Sequence, residues 1–240
     1  MIAIVWMGPV STSNLAGVPL PKGWGIWTIG DVVRPPDRDP AEGIKPQDFR
    51  DWAAAKLGAR PFDRLLELGQ VDAVVLASFS AGHGLLELLL AAAHGDKRIL
   101  GTLAADSYYG LELKPGYLAH GRDCVASGDP FWLTSSDAGR GPSSSSASQS
   151  LAPFAAELEL RSARAPREMP PPVRTLGRGG VLWLDYARPG DGAPAHLRQA
   201  VELAPAALTA WVGGIGAGAK RDSSALGAVA FAAALAWGLS

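Results

Sequence analysis

The chain has 240 residues, which is enough for one large domain with a buried core or for two small domains. Its 22 basic and 23 acidic side chains give a net charge of -1, which predicts no general attraction to nucleic acid or to acidic lipid. A hydrophobic content of 48% excludes a chain that is disordered throughout, and 29 glycines with 19 prolines argue against a helical bundle or a coiled coil.

Strand-like and helix-like segments alternate along the chain. Apolar runs predict strands over residues 2–7, 25–33, 71–77, 98–105, 131–135 and 181–186. Apolar residues at helical spacing predict helices over 48–57, 61–68, 81–94, 148–161 and 194–212, the last of them bent or split at Pro205. This alternation predicts an α/β fold, a three-layer sandwich with a mostly parallel central sheet flanked by helices. Sheets of this kind bind ligands at the carboxyl ends of their strands.

The two ends of the chain differ in character. The run over residues 2–7 has no basic stretch before it and no cleavage site after it, so it indicates a strand rather than a signal peptide. A cytoplasmic protein is therefore the default expectation. Residues 225–239 carry no charge but are fewer than the ~20 that a bilayer requires. We expect a domain over 1–213 and a Gly/Ala-rich tail over 214–240, where a packed or flexible helix is favoured over a membrane or assembly anchor through 223–240.

The strongest local motif is Ser78-Phe79-Ser80-Ala81-Gly82, which joins a buried strand to a helix. A small-x-Ser-x-small pattern at a strand–turn–helix junction is typical of a nucleophile elbow. The residues two before and two after the nucleophile must be small, because larger side chains would collide across the turn. The motif predicts Ser80 as a nucleophile, with the alternative that Ser80 only caps the following helix.

A serine nucleophile needs a base, and His196 follows the last predicted strand, where the pattern places a histidine. His83 is too close to Ser80 in sequence, and His94 lies at the far end of the elbow helix. His120, in a predicted loop, is the one competitor.

Three aspartates are candidates for the acid that would orient the base. Asp106 ends the strand that follows the elbow helix, Asp137 follows the next strand, and Asp191 lies shortly before His196. We favour Asp106, then Asp137, then Asp191. The alternative for Asp106 is a carboxylate that only caps the turn after its strand.

Backbone N–H groups near Ser80 would stabilise the oxyanion that forms when the serine attacks a carbonyl carbon. Ala81, in the first helical turn, is the first predicted donor. A second donor is expected after the first strand, where Gly8 and Val10 qualify and Pro9 does not, since proline has no N–H.

Neither a metal nor a cofactor is expected. Cys124 is the only cysteine, and no two of the four histidines are four residues apart. A nucleotide-binding domain is disfavoured because no glycine-rich loop follows the first strand, and the glycine-rich run over 213–218 follows a helix instead.

With an elbow at Ser80, an acid after a later strand and His196 after the last one, the chain resembles the α/β-hydrolase superfamily over about residues 1–212. The resemblance implies a serine hydrolase that cleaves esters, thioesters or amides through an acyl-enzyme. Its partner would be a small-molecule or polymeric ester substrate. The chain is short for the superfamily and shows neither its leading antiparallel strands nor a helical cap, so the resemblance implies a compact, lidless esterase of the cutinase kind.

A second function class is a catalytically silent structural or binding protein of the same fold. Two features motivate this second class. The superfamily usually has glycine where this chain has Ser78, and three aspartates compete for the position of the acid. Labelling by a fluorophosphonate that is lost in Ser80→Ala would discriminate between the two classes.

Overall fold

A computed structural model describes residues 1–8, 12–28, 54–138, 146–188 and 192–218, with Thr12 and the last six of these described by their backbone alone. The strands are β1 (Ile2–Met7), β2 (Trp24–Thr28), β3 (Ala73–Phe79), β4 (Ile99–Ala105), β5 (Phe131–Ser135), β6 (Arg161–Ser162), β7 (Arg174–Arg178) and β8 (Val181–Asp185). The helices are α1 (Pro61–Gly69), α2 (His83–Ala92), α3 (Pro115–Ser127), α4 (Ala147–Glu157), α5 (Ala193–Arg198) and α6 (Ala204–Gly218).

The eight strands form one sheet in the order β2-β1-β3-β4-β5-β8-β7-β6. The first six strands in this order are parallel, and β7 runs antiparallel to both β8 and β6. The predicted fold class, α/β with a mostly parallel sheet, is confirmed. In the described part of the chain, β1 and β2 precede β3 and are parallel to it. The antiparallel strand β7 lies near the other edge of the sheet, between β8 and β6.

Two apolar cores cover the two faces of this sheet. Helices α1, α2, α3 and α4 pack on one face, and α6 packs on the other. In β3, Val74 and Leu76 belong to the first core whereas Val75 and Ala77 belong to the second. A strand buried on both faces needs apolar side chains at consecutive positions, which explains the unbroken run that predicted it.

The sequence did not predict α3, β6 or β7. A loop was expected over 113–123, where α3 lies. The glycines that weaken a helical pattern there serve close packing. A Cβ on Gly116 would lie 2.6 Å from the main-chain oxygen of Glu87, and one on Gly121 would lie 2.7 Å from a methyl carbon of Leu158. Strands β6 and β7 are largely polar and lie at the sheet edge, where no continuous apolar run is needed.

The helical segment after β8 is interrupted, as Pro205 predicted. Its two α-helices, α5 and α6, are joined by a π-helical turn over Gln199–Leu203. Proline lacks an N–H and cannot bond the carbonyl four residues earlier, so the helix changes its pairing just before Pro205. The backbone of α6 runs on to Gly218. The division into 1–213 and 214–240 stays a prediction because the structure describes nothing beyond residue 218.

Other sequence expectations are met in part. Residues 54–57 of the helix expected over 48–57 are helical, and the remainder of that segment lies outside the described residues, as does the strand expected beyond Thr28. The helix expected over 148–161 is α4, and Ser146 is its N-cap residue. The Ser146 hydroxyl accepts from the Gln149 N–H, and the Gln149 side chain accepts from the Ser146 N–H, which is a capping box. In the described ranges, no helix has the length and hydropathy to cross a membrane.

One prediction concerns the buried His120 on α3. Its Nε2 lies 2.9 Å from Thr102 Oγ1, and burial lowers its pKa to about 4. The unfolded chain binds a proton at this histidine below its ordinary pKa of 6.5, but the folded protein does not until about pH 4. The free energy of unfolding should therefore fall, by up to about 3 kcal/mol, as the pH drops from 6.5 to 4.

Urea unfolding at a series of pH values measures this dependence. In His120→Gln the contribution from this window should vanish, because glutamine does not titrate. An unchanged pH dependence in the variant would show that other groups cause it.

Candidate active site

Three candidate residues converge at one edge of the sheet. Ser80 directly follows β3, Asp106 directly follows β4, and His196 lies on α5, after β8. Because β3, β4 and β8 are parallel, their carboxyl ends share an edge. This is the edge at which open α/β sheets bind ligands.

A chain of hydrogen bonds joins these three side chains. His196 Nε2 lies 2.9 Å from Ser80 Oγ, and His196 Nδ1 lies 2.5 Å from Asp106 Oδ2. A carboxylate only accepts, so the proton of the neutral imidazole lies on Nδ1 and Nε2 accepts from the serine hydroxyl. In this arrangement the imidazole can take the proton from Ser80.

The backbone at Ser80 has the strained geometry of an elbow. Its φ of 52° lies in the left-handed region, which costs a non-glycine residue about 1 kcal/mol or more. The Ser80 carbonyl accepts from the His83 ring at Nδ1 (3.1 Å) and from the Ser107 hydroxyl (3.3 Å). A Cβ on Gly82 would collide with the main-chain oxygen of Met7, so only glycine fits two residues after the serine.

Ser78, which stands where glycine is usual, has its own function in the structure. Its side chain is fully buried, and its hydroxyl donates to Ser107 Oγ at 2.8 Å. Ser107 in turn donates to the Ser80 carbonyl and accepts, at its own carbonyl, from the Tyr117 hydroxyl at 2.9 Å. These bonds connect the turn after β3 to the turn after β4, which carries Asp106.

Asp106 is fully buried, and its carboxylate accepts three hydrogen bonds from two residues. Besides His196, its carboxylate accepts from the Ser136 N–H at 2.8 Å and from the Ser136 hydroxyl at 2.7 Å. A buried carboxylate needs such donors, since an unpaired charge in the interior is costly. Asp137 is half-buried and makes no hydrogen bond to His196 in the described structure, and Asp191 lies outside the described residues.

Two aromatic rings hold the imidazole of His196. The Phe79 ring stacks on it with centroids 4.6 Å apart, and the Tyr109 ring meets it edge-on at 6.5 Å. The Tyr109 hydroxyl also lies 3.3 Å from His196 Nδ1. Since α5 has no buried residue, these contacts supply much of what orients the ring.

The two residues predicted as oxyanion donors lie beside Ser80. Ala81 belongs to the 3₁₀ turn that begins at Ser80. Gly8 follows Met7, which pairs with Ser78 in the register of β1 and β3. A Cβ on Gly8 would come 3.0 Å from the Phe79 carbonyl oxygen, so Gly8 lies against the elbow. Val10 lies outside the described residues.

The remaining histidines take other positions. His120 is buried against Thr102 and Cys124 and has no contact with Ser80 in the described structure. His94 lies on the surface, 3.6 Å from Asp123. His83 belongs to the elbow itself, although sequence spacing had set it aside. Among the residues described, no three His, Cys, Asp or Glu side chains are grouped to bind a metal ion.

Sequence reasoning missed the parts played by Ser136, Ser107 and His83. Ser136 could have been noticed because it follows β5 at the carboxyl edge. Ser107 and His83 donate hydrogen bonds to the Ser80 carbonyl oxygen. Contacts between a side chain and a main-chain carbonyl leave no pattern in a single sequence.

The comparisons with known proteins add little to this geometry. No family model matches the chain, and no curated protein matches it. Among solved structures, the chain is similar to a glucuronoyl esterase from Solibacter usitatus, with 15% identity and a TM-score of 0.34. That alignment covers 85% of this chain and 73% of the other.

Proposed function

We propose that this protein is a serine hydrolase of the α/β-hydrolase kind that cleaves carboxylic esters through an acyl-enzyme on Ser80. The observation that carries the proposal is the unbroken hydrogen-bond chain from Ser80 Oγ through His196 to the buried Asp106. The left-handed backbone of Ser80 supports it, because surroundings that maintain such strain are typical of functional sites.

Acylation begins when Ser80 Oγ attacks the carbonyl carbon of the ester. The hydroxyl proton passes to His196 Nε2, and the carbonyl oxygen becomes an oxyanion that the N–H groups of Ala81 and Gly8 stabilise. Asp106 remains a carboxylate, keeps the ring in the required tautomer and stabilises the imidazolium. The intermediate then collapses, the bond to the alcohol oxygen breaks, and His196 returns its proton to that oxygen.

Deacylation repeats these steps with water as the nucleophile. His196 takes a proton from water as the oxygen attacks the acyl carbon, and the second oxyanion occupies the same position. The bond to Ser80 Oγ then breaks, the serine regains its proton from His196, and the carboxylic acid leaves. Thioesters and amides follow the same path, and they differ in the leaving group that His196 protonates.

Hydrolysis of p-nitrophenyl acetate and butyrate tests the proposal. The wild-type protein should show saturable turnover, and Ser80→Ala should lose it, whereas Ser162→Ala on the exposed β6 should retain it. Circular dichroism establishes that each protein is folded. Folded wild-type protein without turnover, or equal turnover in Ser80→Ala, would contradict the proposal and favour the catalytically silent alternative.

A second prediction concerns His83, whose Nδ1–H donates to the Ser80 carbonyl. Removal of this bond in His83→Ala leaves the strained elbow less supported, and we expect a loss of about tenfold in kcat and about 1 kcal/mol in the free energy of unfolding. His83→Asn can place an amide N–H near the same carbonyl, so it should retain more of both. Equal losses in the two variants would show that the bond is not what matters.

A further inference from the structure

A pocket lies near the edge of the sheet that carries the antiparallel strand, and we name it the edge pocket. Its volume is about 690 Å³, within the ~300–1,000 Å³ that small-molecule sites usually span. It is lined by residues 162–163 at the end of β6, by residues 173–176 at the start of β7, and by Asp185 at the end of β8. The steps proposed for ester hydrolysis use none of these residues.

Arg174 is the cationic side chain that lines the edge pocket. Its side chain is 48% exposed, whereas that of Asp185 is 7% exposed. Arg174 Nη2 donates to Asp185 Oδ2 at 2.8 Å, and Nε and Nη1 make no hydrogen bond among the described residues. A guanidinium has five N–H donors, so most of them are available to a ligand in the pocket.

Two contacts hold this guanidinium in place. Its Cζ lies 4.5 Å from the ring centroid of the buried Trp183, and its Nη2 bonds Asp185. Ser135 fixes both partners, because its hydroxyl accepts from Trp183 Nε1 at 2.8 Å and donates to Asp185 Oδ1 at 2.8 Å. A guanidinium that is already oriented loses little conformational freedom when it binds a ligand.

The bond between Arg174 and Asp185 is not needed to satisfy the carboxylate. Asp185 also accepts from three other donors, which are the hydroxyls of Ser135 and Ser148 and the N–H of Ala187. A half-exposed ion pair adds little to stability. The main effect of the bond is therefore to orient the guanidinium.

The charges around the edge pocket favour a ligand with more than one negative charge. Residues 160–178 include five arginines and one acidic residue. Arg161 and Arg164 directly flank the lining residues 162–163, are exposed, and form no ion pair among the described residues. The ion pair inside the pocket is neutral, so these two arginines leave an excess of positive charge beside it.

We propose that the edge pocket binds a multiply charged anionic small molecule through a phosphate or carboxylate group that accepts from Arg174. Both groups present the oxygen acceptors that a guanidinium recognises through charge-assisted hydrogen bonds. Asp185 ends β8, which lies three strands from β3 and Ser80 in the sheet. The proposal therefore concerns a second site and does not depend on ester hydrolysis.

Isothermal titration calorimetry with pyrophosphate and with citrate tests the proposal, at about 0.1 M NaCl, where the Debye length is about 10 Å. The wild-type protein should bind at least one of these anions with a Kd of about 1 mM or tighter. Arg174→Gln should weaken that binding by at least about tenfold. Arg174→Lys keeps the charge but loses the planar array of donors, so it should weaken binding less.

Arg178→Gln is the matched control, because it removes the same charge from the same strand. Arg178 does not line the pocket and pairs with Glu159 at 2.7 Å, so binding should stay within about twofold of the wild-type value. Ala163→Glu adds a carboxylate at an exposed lining position and leaves Arg174 in place. It should also weaken binding by at least about tenfold, and thermal melts establish that each variant is folded.

Two results would overturn the proposal. One is that folded wild-type protein binds neither anion, and the other is that Arg174→Gln and Arg178→Gln weaken binding equally, which would indicate attraction to general surface charge. Binding of pyrophosphate alone, or of citrate alone, with loss in Arg174→Gln would support the proposal and identify which group the pocket recognises. No ester is used, so the outcome is separate from that of the hydrolysis experiments.

Discussion

Replacement of Asp106 by asparagine is expected to lower kcat for ester hydrolysis by about 10⁴. The carboxylate of Asp106 accepts from His196 Nδ1 and so fixes the proton there. An asparagine amide can instead donate to Nδ1, which would move the imidazole proton to Nε2. With a proton on Nε2, the ring cannot accept the Ser80 hydroxyl proton. Initial rates with a p-nitrophenyl ester measure the loss.

Asp137→Asn is the matched control for this experiment. Asp137 lies at the same edge of the sheet, is half-buried and makes no hydrogen bond to His196 in the described structure. We expect its kcat to stay within about twofold of the wild-type value. A large loss of activity in Asp137→Asn, with near-normal activity in Asp106→Asn, would show that the acid is Asp137, after β5, and not Asp106, after β4. A thermal melt of each variant distinguishes loss of folding from loss of catalysis.

The second large effect is expected for His196→Gln, which should lower kcat by about 10⁶. Glutamine fills part of the space between Phe79 and Tyr109 but cannot take a proton from Ser80 at neutral pH. Residual activity above the uncatalysed rate is still expected, because the N–H groups that stabilise the oxyanion remain.

His94→Gln is the control for the loss of a histidine. His94 lies on the surface beside Asp123, just beyond the end of α2 that is remote from Ser80. Its replacement should leave kcat unchanged. Comparable activity in His196→Gln and in the wild-type protein would contradict the assigned base.

The positions of Ser80 and His196 could be predicted because topology constrains them. A serine at a strand–turn–helix junction and a histidine after the last parallel strand must both lie at the carboxyl edge of the sheet. The structure places their side chains 2.9 Å apart. The catalytic roles of Ser80 and His196 stay predictions until activity is measured.

The choice of acid could be ranked but not settled from the sequence. Asp106 and Asp137 both follow parallel strands, so topology alone does not separate them. In the structure Asp106 bonds His196 Nδ1 and accepts two hydrogen bonds from Ser136, at the end of the neighbouring strand, whereas Asp137 makes no bond to His196 among the described residues. The position of Ser136 after a parallel strand places it at the right edge of the sheet, but the sequence does not show which aspartate it bonds.

At position 78 the sequence departs from the usual elbow pattern, and the structure gives the reason. The serine there motivated the catalytically silent alternative, but its hydroxyl donates to Ser107 Oγ at 2.8 Å and so links the turns that carry Ser80 and Asp106. Helix α3 was missed for a related reason, since Gly116 and Gly121 serve packing between helices rather than flexibility.

Covalent labelling tests the central claim most directly. Folded protein is treated with a fluorophosphonate, and its intact mass and proteolytic peptides are measured for the wild-type protein and for Ser80→Ala. We predict one adduct per chain, located on the peptide that contains Ser80 and absent from Ser80→Ala. No adduct on folded wild-type protein, or an adduct that persists in Ser80→Ala, would contradict the account.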